Sequence, residues 1–452
     1  MASEHSAAAG AGQPSALVRF VQFVPLGAVA VVLLDSATDF FPDDPLAGIL
    51  TPTRLALLLG FIALVVPVRG RPRARLRDFR TRLDLPIGLL VAVSAATTYR
   101  GGHPTAPLRA LLTVIACHYL VVAVRRTRPE SWGAIGLLAL TGVAAAATSA
   151  FSQVTNETPT GFCRTGLLTD VACDAAGDGA LIRATGTFSN PNLLAAFLVL
   201  LLPFALLATV CVDERTARTA VVVLVVIGYG ALLTTFSRAG YVAGAAGLLV
   251  LGGAYWPAPR IADRARRRLF AVLGTLALLG AAGAIWAVSR AGNSLGVRGQ
   301  AWEAALRLAS DNPLGVGLGR SGAAISAAAP GGRTFVHAHT LWLNWLVEAG
   351  PLGLLAITGV AVIAVSCAAR AAGAKSVIGT VGLAALTGFF LMSMMDHPAN
   401  LDRIDALLWC ALAVVMAETP ATWRNRTDTT PPLAPAQTRR PRHGPQRVGA
   451  TG

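Results

Sequence analysis

Charged side chains are scarce in this sequence. Asp, Glu, Lys and Arg make up 13% of its 452 residues and hydrophobic types 54%, a balance that excludes a large soluble core with a water-facing surface. Lysine is almost missing: Lys375 stands alone against thirty-seven arginines, the usage of a G+C-rich and hence bacterial genome. Cysteine is sparse at six, and no Cys/His spacing has the form of a zinc site. No basic segment precedes the first apolar stretch, so that stretch is expected to remain as an anchor rather than a cleaved signal. An internal repeat is also lacking, so the paired halves of many transporters are not visible.

What is present is a succession of apolar runs of about 16–25 residues, each able to cross a bilayer as a helix. They lie near 17–35, 53–68, 84–99, 107–124, 132–150, 192–212, 219–236, 239–256, 269–288, 341–365, 377–395 and 404–418. They predict an all-α integral membrane protein of about twelve transmembrane helices. Between the second and third runs stands RGRPRARLRDFRTR, seven arginines from Arg69 to Arg82, which cannot enter hydrocarbon and marks a cytoplasmic loop. With that loop inside, twenty-five of the thirty-eight Lys and Arg residues fall on the same side and ten on the other. The asymmetry predicts both termini in the cytoplasm. It also turns the net charge of +15 into a topology signal with attraction for anionic lipid, rather than a nucleic-acid footprint.

The expected organisation is a disordered cytoplasmic N-terminus (1–16), a polytopic membrane domain (17–418) and a disordered basic cytoplasmic tail (419–452). Two external loops, 151–191 and 289–340, are longer than simple connectors. The first holds Cys163 and Cys173, candidates for a disulfide on an oxidising face. The second contains RGQAWEAALRLASDNP, in which Trp302, Leu306 and Ala309 share one helical face and Glu303, Arg307 and Asp311 another. This reads as a short amphipathic helix on the membrane surface, ended by Asn312-Pro313.

Four external clusters could do chemistry. Arg183 and the stretch GTFSNPN (186–192) stand at the entry to the sixth span, where Asn190 or Ser189 can cap a helix and Asn192 adds a second amide. Phe236-Ser237-Arg238-Ala239-Gly240 forms a tight turn whose only charge is an arginine. Arg298 lies one turn before Trp302, ahead of DNPLGVGLG (311–319), whose glycines read more simply as a flexible turn than as a phosphate cradle. His337 and His339 sit at the mouth of the tenth span, with Glu348 more than two turns inside it. Two histidines without nearby acids make a poor metal site, whereas a neutral imidazole there can take a proton from a hydroxyl. Three arginines on one face suit a diphosphate, since each guanidinium makes bidentate charge-assisted hydrogen bonds.

Taken together, GTFSNPN with its following span (186–206), FSRAG (236–240), R-x-x-x-W (298–302), DNPLGVGLG (311–319) and HAHTLWLNWLVEAGPLGL (337–354) resemble the O-antigen ligase and polymerase family of bacterial membrane glycosyltransferases. The resemblance implies a multi-span helical protein, of the kind called GT-C-like, with a large extracytoplasmic loop between late spans. It implies transfer of a glycan from undecaprenyl diphosphate onto a lipid, glycan or protein acceptor, in cell-envelope polysaccharide biosynthesis, without metal or other cofactor. By motif, Arg238 and Arg298 take the place of the essential arginines and His339 that of the catalytic histidine. Thr340 stands where the family has Asn, and His337 is the alternative base. Arg183, Asn190, Asn192, His337 and Trp302 are expected to bind substrate, from the clustering alone. The expected location is the bacterial cytoplasmic membrane, with the site facing outward. A transporter or lipid flippase is the competing reading, and it would need polar groups at the bilayer midplane, where the spans offer little besides Glu348 and His118.

Overall fold

The computed structural model describes residues 16–38, 51–66, 74–128, 131–165, 169–171, 173, 180–210, 212–255 and 297–419. Among them are α1 (Ala16–Thr38), α2 (Pro52–Val65), α3 (Leu76–Phe79), α4 (Asp84–Arg100), α5 (Ala106–Thr127), α6 (Trp132–Thr155), α7 (Pro191–Ala205), α8 (Arg215–Thr234) and α9 (Arg238–Tyr255). Beyond position 296 follow α10 (Val297–Asp311), α11 (Ser321–Ala328), α12 (Leu341–Gly373), α13 (Val377–Met392) and α14 (Asp402–Ala417). A three-stranded sheet interrupts the helices, β1 (Cys163–Thr165) lying between β2 (Thr169–Val171) and β3 (Leu181–Ile182). Eleven of the expected spans coincide with helices. The ninth, 269–288, lies outside the described residues, as do 1–15, the arginines at 69–73, the basic stretch 259–268 and the tail from 420.

Five helical segments are long and apolar enough to cross a membrane: Ala106–Thr127, Trp132–Thr155, Pro191–Val210, Arg215–Thr234 and Leu341–Gly373. Phe23–Asp35, Pro52–Val65, Arg238–Gly253 and Val377–Met392 are shorter apolar helices, and together they make a polytopic membrane protein. Large apolar side chains stand exposed on α2 (Leu55, Leu58, Ile62), α8 (Val222, Val226, Ile227) and α12 (Leu355, Val362), as a lipid-facing surface requires. The core centres on α7 and α13, nearly every residue of which is buried. Glycines let these helices approach closely: a Cβ at Gly240 would crowd Ala195 of α7, and one at Gly388 would crowd the Ala243 carbonyl of α9.

Side-chain contacts sort the helix ends into two sets. At one end Arg82, just before α4, donates to Cys367 late in α12, Arg125 of α5 pairs with Glu418 at 2.9 Å, and Arg126 donates to the carbonyls of Arg80 and Met416. At the other end Gln153 of α6 holds the backbone N–H groups of Thr185 and Gly186, and Arg403 of α14 donates to the Thr187 carbonyl. Caps fix where helices begin at either end. Asn190 accepts from the Asn192 N–H with Pro191 in the first turn of α7, and Ser376 accepts from the Gly379 N–H at the start of α13.

The second long loop carries α10 as expected, ending at Asp311, but with a different buried face. Ala301, Ala304 and Ala305 are buried against Ile325, Phe335, Ala338 and Val347, with Leu308 packed alongside, while Leu306 is 56% exposed. The stripe runs i, i+3, i+4, i+7 through the small residues, because alanines let α10 lie close on the start of α12 where leucine would hold it off.

Candidate active site

The α8–α9 turn is built around Phe236, whose φ of 49° lies in the left-handed region. That conformation reverses the chain sharply and leaves two carbonyls without helical partners. Two arginines take them: Arg183 Nε donates to the Thr235 carbonyl at 3.0 Å, and Arg164 Nη1 donates to the Phe236 carbonyl at 3.3 Å. The Arg164 guanidinium also lies 5.7 Å over the Phe236 ring. Both arginines come from the small sheet. Arg164 sits on β1 opposite Leu181 of β3, and the Arg183 N–H, one residue past β3, donates to Phe162. A disulfide joins Cys163 to Cys173, with Cα atoms 4.9 Å apart.

Arg183 is thus buried and engaged with the turn, its Nη2 reaching Asn192 Oδ1 at 3.5 Å. Asn190 is spent on capping α7. Arg238 differs. It is the first residue of α9, exposed, and makes no ion pair among the described residues. Ser237 caps the helix beneath it, accepting from the Gly240 N–H at 3.2 Å, so the backbone that carries Arg238 is fixed at the helix start.

The histidines form a second group on the same end. Residues 337–340 lead into α12, with His339 at φ 53° and Thr340 extended. The Thr340 side chain makes no cap hydrogen bond; Asn344 reaches back from the first turn instead, accepting from the Ala338 N–H at 3.3 Å. Facing them is the turn between α13 and α14. The reactive nitrogens of His337 and His339 and an Asp396 oxygen all lie within 4.8 Å of one another, and the His397 ring centre is 5.6 Å from that of His337. The turn Pro398–Asn400, next to His397, packs on α7, and Arg403 stacks 4.7 Å over Phe188, just ahead of α7.

The two histidines are not equivalent. His337 Nδ1 accepts from the His339 backbone N–H at 3.0 Å. Since that nitrogen is an acceptor, the proton of the neutral ring resides on Nε2, 3.8 Å from Asp396 Oδ1. Both nitrogens of His337 are therefore assigned. A metal on Nε2 would have to displace this proton while Nδ1 still accepts, whereas metal-bound imidazoles donate from the second nitrogen. The cluster fits a metal poorly on that ground. His339 makes no ring hydrogen bond among the described residues. Burial lowers the pKa of both rings, to about 4 for His337, with Asp396 opposing the shift and Arg298 adding to it. His397 is also pushed well down, by burial and then by His337. All three rings are neutral near pH 7.

Arg298 opens α10 and lies close enough to act on both histidines. Gln300 Oε1, on the first turn, and Trp302 Nε1, on the second, are buried without a hydrogen-bond partner among the described residues. The glycine loop after α10 is a turn whose N–H groups serve α12. Pro351 has no N–H for the Val347 carbonyl, and α12 breaks at Gly350 (φ 66°). Val316 N–H takes the Val347 carbonyl at 2.8 Å, and Gly317 N–H takes that of Glu348 at 3.1 Å. The Glu348 carboxylate receives Ser321 Oγ–H at 2.7 Å and caps α11.

Sequence reasoning missed Arg164, Gln300, Asp396, His397 and Arg403. Asp396-His397-Pro398 stood between two apolar spans, the same signal that singled out His337. Arg164 carried no signal beyond its neighbour Cys163, because strand pairing alone brings it to the turn.

No curated protein matches the chain. The sequence profile of the family described as O-Antigen ligase matches residues 220–358, which hold Arg238, Arg298, Trp302, His337 and His339. That stretch, from early in α8 to the middle of α12, is an O-antigen ligase family domain.

Proposed function

We propose that this protein moves a glycan from undecaprenyl diphosphate onto an acceptor hydroxyl, with inversion and without metal, at the outer face of the bacterial cytoplasmic membrane. The O-antigen ligase domain match over residues 220–358 supports lipid-linked glycan transfer in polysaccharide assembly. The finer reading assigns about twelve spans with both termini inside and the site outside. It is supported by the two sets of helix ends, one gathering Arg82, Arg125, Arg126, Arg370 and Lys375 and the other the histidines, Arg238 and Arg298.

In this reading Arg238 and Arg298 grip the donor diphosphate. The acceptor oxygen attacks the anomeric carbon as its proton passes to His339, and the bond from that carbon to the diphosphate oxygen breaks on the opposite face. The two guanidinium groups neutralise the charge that appears on the leaving group. A single displacement inverts the anomeric centre. Asp396 steadies the imidazolium that His339 becomes, and Trp302 and Gln300 offer their unpaired polar atoms to the sugar or diphosphate. His337, with both nitrogens assigned, orients rather than reacts, and Arg183, Asn190 and Asn192 shape the turn beneath Arg238.

The single observation that carries the reading is the unpartnered, neutral imidazole of His339 beside Asp396 and Arg298. The test is reconstitution of the purified chain with an undecaprenyl-diphosphate glycan and a hydroxyl acceptor, without divalent cations. Transfer with inversion supports the reading. Solute or lipid flux without any glycan product would replace it with transport.

A further inference from the structure

A cavity of about 410 Å³ opens on the same end of the bundle between the α4–α5 turn, the loop after α10 and α12. Val93, Ala96, Leu314, Val316, Ala349 and Leu352 give it apolar walls, while Arg100 and His103 line its polar end. It lies at Ala349–Leu352, about 12–16 Å along α12 from the helix start, and no function described above uses it.

His103 is fixed in place. A side chain at Gly101 or at Gly317 would collide with its ring, so the imidazole is clasped between two backbones. Its Nδ1 lies 3.2 Å from Arg320 Nη1, which brings a second guanidinium to the same end. No carboxylate lines the cavity. The nearest acids in sequence are turned elsewhere, Glu348 onto Ser321 and Asp311 onto Ser310. One arginine would suffice to balance the partial negative charge at the C-terminus of α4, so Arg320 and the polar His103 leave an excess of positive potential. The apolar walls end in Leu314 and Leu352, 52% and 50% exposed on the outer surface.

A cationic end joined to an apolar exit is complementary to an amphiphile with an anionic head. We propose that this cavity binds a phosphate-bearing lipid from the surrounding leaflet, distinct from the glycan donor. The phosphate lies between Arg100, His103 and Arg320, and an acyl chain leaves past Leu314 and Leu352. Because Asn312–Val316 continue directly from α10, an occupant also braces the helix that carries Arg298.

Native mass spectrometry of the full chain in detergent, titrated with phosphatidylglycerol and phosphatidylcholine, tests this. The wild type is expected to hold phosphatidylglycerol at least about tenfold more tightly, and Arg100→Gln with Arg320→Gln to lose that preference while phosphatidylcholine binding is unchanged. Both side chains are exposed, and an unaltered melting curve without lipid confirms that the double variant folds. Equal affinity for the two lipids, or undiminished preference in the variant, overturns the proposal. Complete displacement by inorganic phosphate would assign the cavity to a free anion and also overturn it. Undecaprenyl diphosphate binding is measured alongside: its retention in the variant supports two separate sites, and its loss would make the cavity part of the donor path and sink the claim. Failure of glycan transfer itself would leave the lipid preference untouched, so the two readings fail separately.

Discussion

His339 occupies a left-handed backbone conformation that a non-glycine residue adopts only when its surroundings impose it. The imposed geometry comes from its own N–H, which is held by His337 Nδ1, and from Asn344, which fixes the preceding Ala338 N–H. Thr340 makes no side-chain cap to α12, whose first N–H, that of Leu341, donates to the Ser393 carbonyl at 3.1 Å instead. His339→Ala is expected to lower transfer about 10²–10⁴-fold, the usual worth of a general base, with normal amounts of protein in the membrane; near-normal turnover would place the base elsewhere. The pH profile carries a sign. A base at His339 would have to be neutral to accept a proton, and burial lowers that imidazole's pKa below its ordinary 6.5, so the acid limb of the rate profile is expected below the ordinary histidine range. Asp396 raises both imidazoles, so Asp396→Asn should move that limb lower still while slowing the reaction. Arg298→Lys should cost about ten- to a hundredfold, since an ammonium cannot reproduce a bidentate hold on phosphate oxygens; equal rates in the two forms would rule out that hold.

At the scale of elements, the α8–α9 turn and the small sheet act as one unit. Strand pairing delivers Arg164 and Arg183 to consecutive carbonyls, and the Cys163–Cys173 bridge closes the strand that carries the first of them. Cys173→Ser is expected to reduce transfer, Arg164→Ala to do the same, and the double variant to lose little more than either alone. Additive losses in that cycle would separate the bridge from the arginine. The break in α12 is a second such unit. Gly315 holds φ 86°, and a Cβ there would collide with the Glu348 carbonyl. Gly315→Ala should therefore destabilise the protein by about 1–2 kcal/mol or more, read as a lowered melting temperature in detergent.

For the whole molecule, the alternation of helix ends predicts that single cysteines at 238 and 339 react with membrane-impermeant reagents from outside the cell, and one at 375 only after permeabilisation. The reverse pattern would turn the site toward the cytoplasm and end the proposed donor chemistry. Transport fares poorly on what surrounds its two candidate groups. Glu348 is taken up by Ser321, and His118 is buried with Nδ1 against the Trp409 carbonyl, so neither stands in an open polar path.

What the sequence determined by itself is the order of spans, the charge asymmetry between their ends, and the motifs around Arg238, Arg298 and His339. Hydrocarbon length and the cost of burying charge are local constraints, so they can be read along the chain without knowing what touches what. The face of α10 escaped because apolarity favoured Leu306, while close helix packing rewarded the alanines. Only the tertiary structure decided that Arg183 serves the turn, that the glycine loop mends a proline break thirty residues onward, and that Asp396 faces the histidines. Each of these depends on a hydrogen bond or charge contact between distant segments. Such contacts leave no periodicity in the sequence, since one residue at each end is enough to make them.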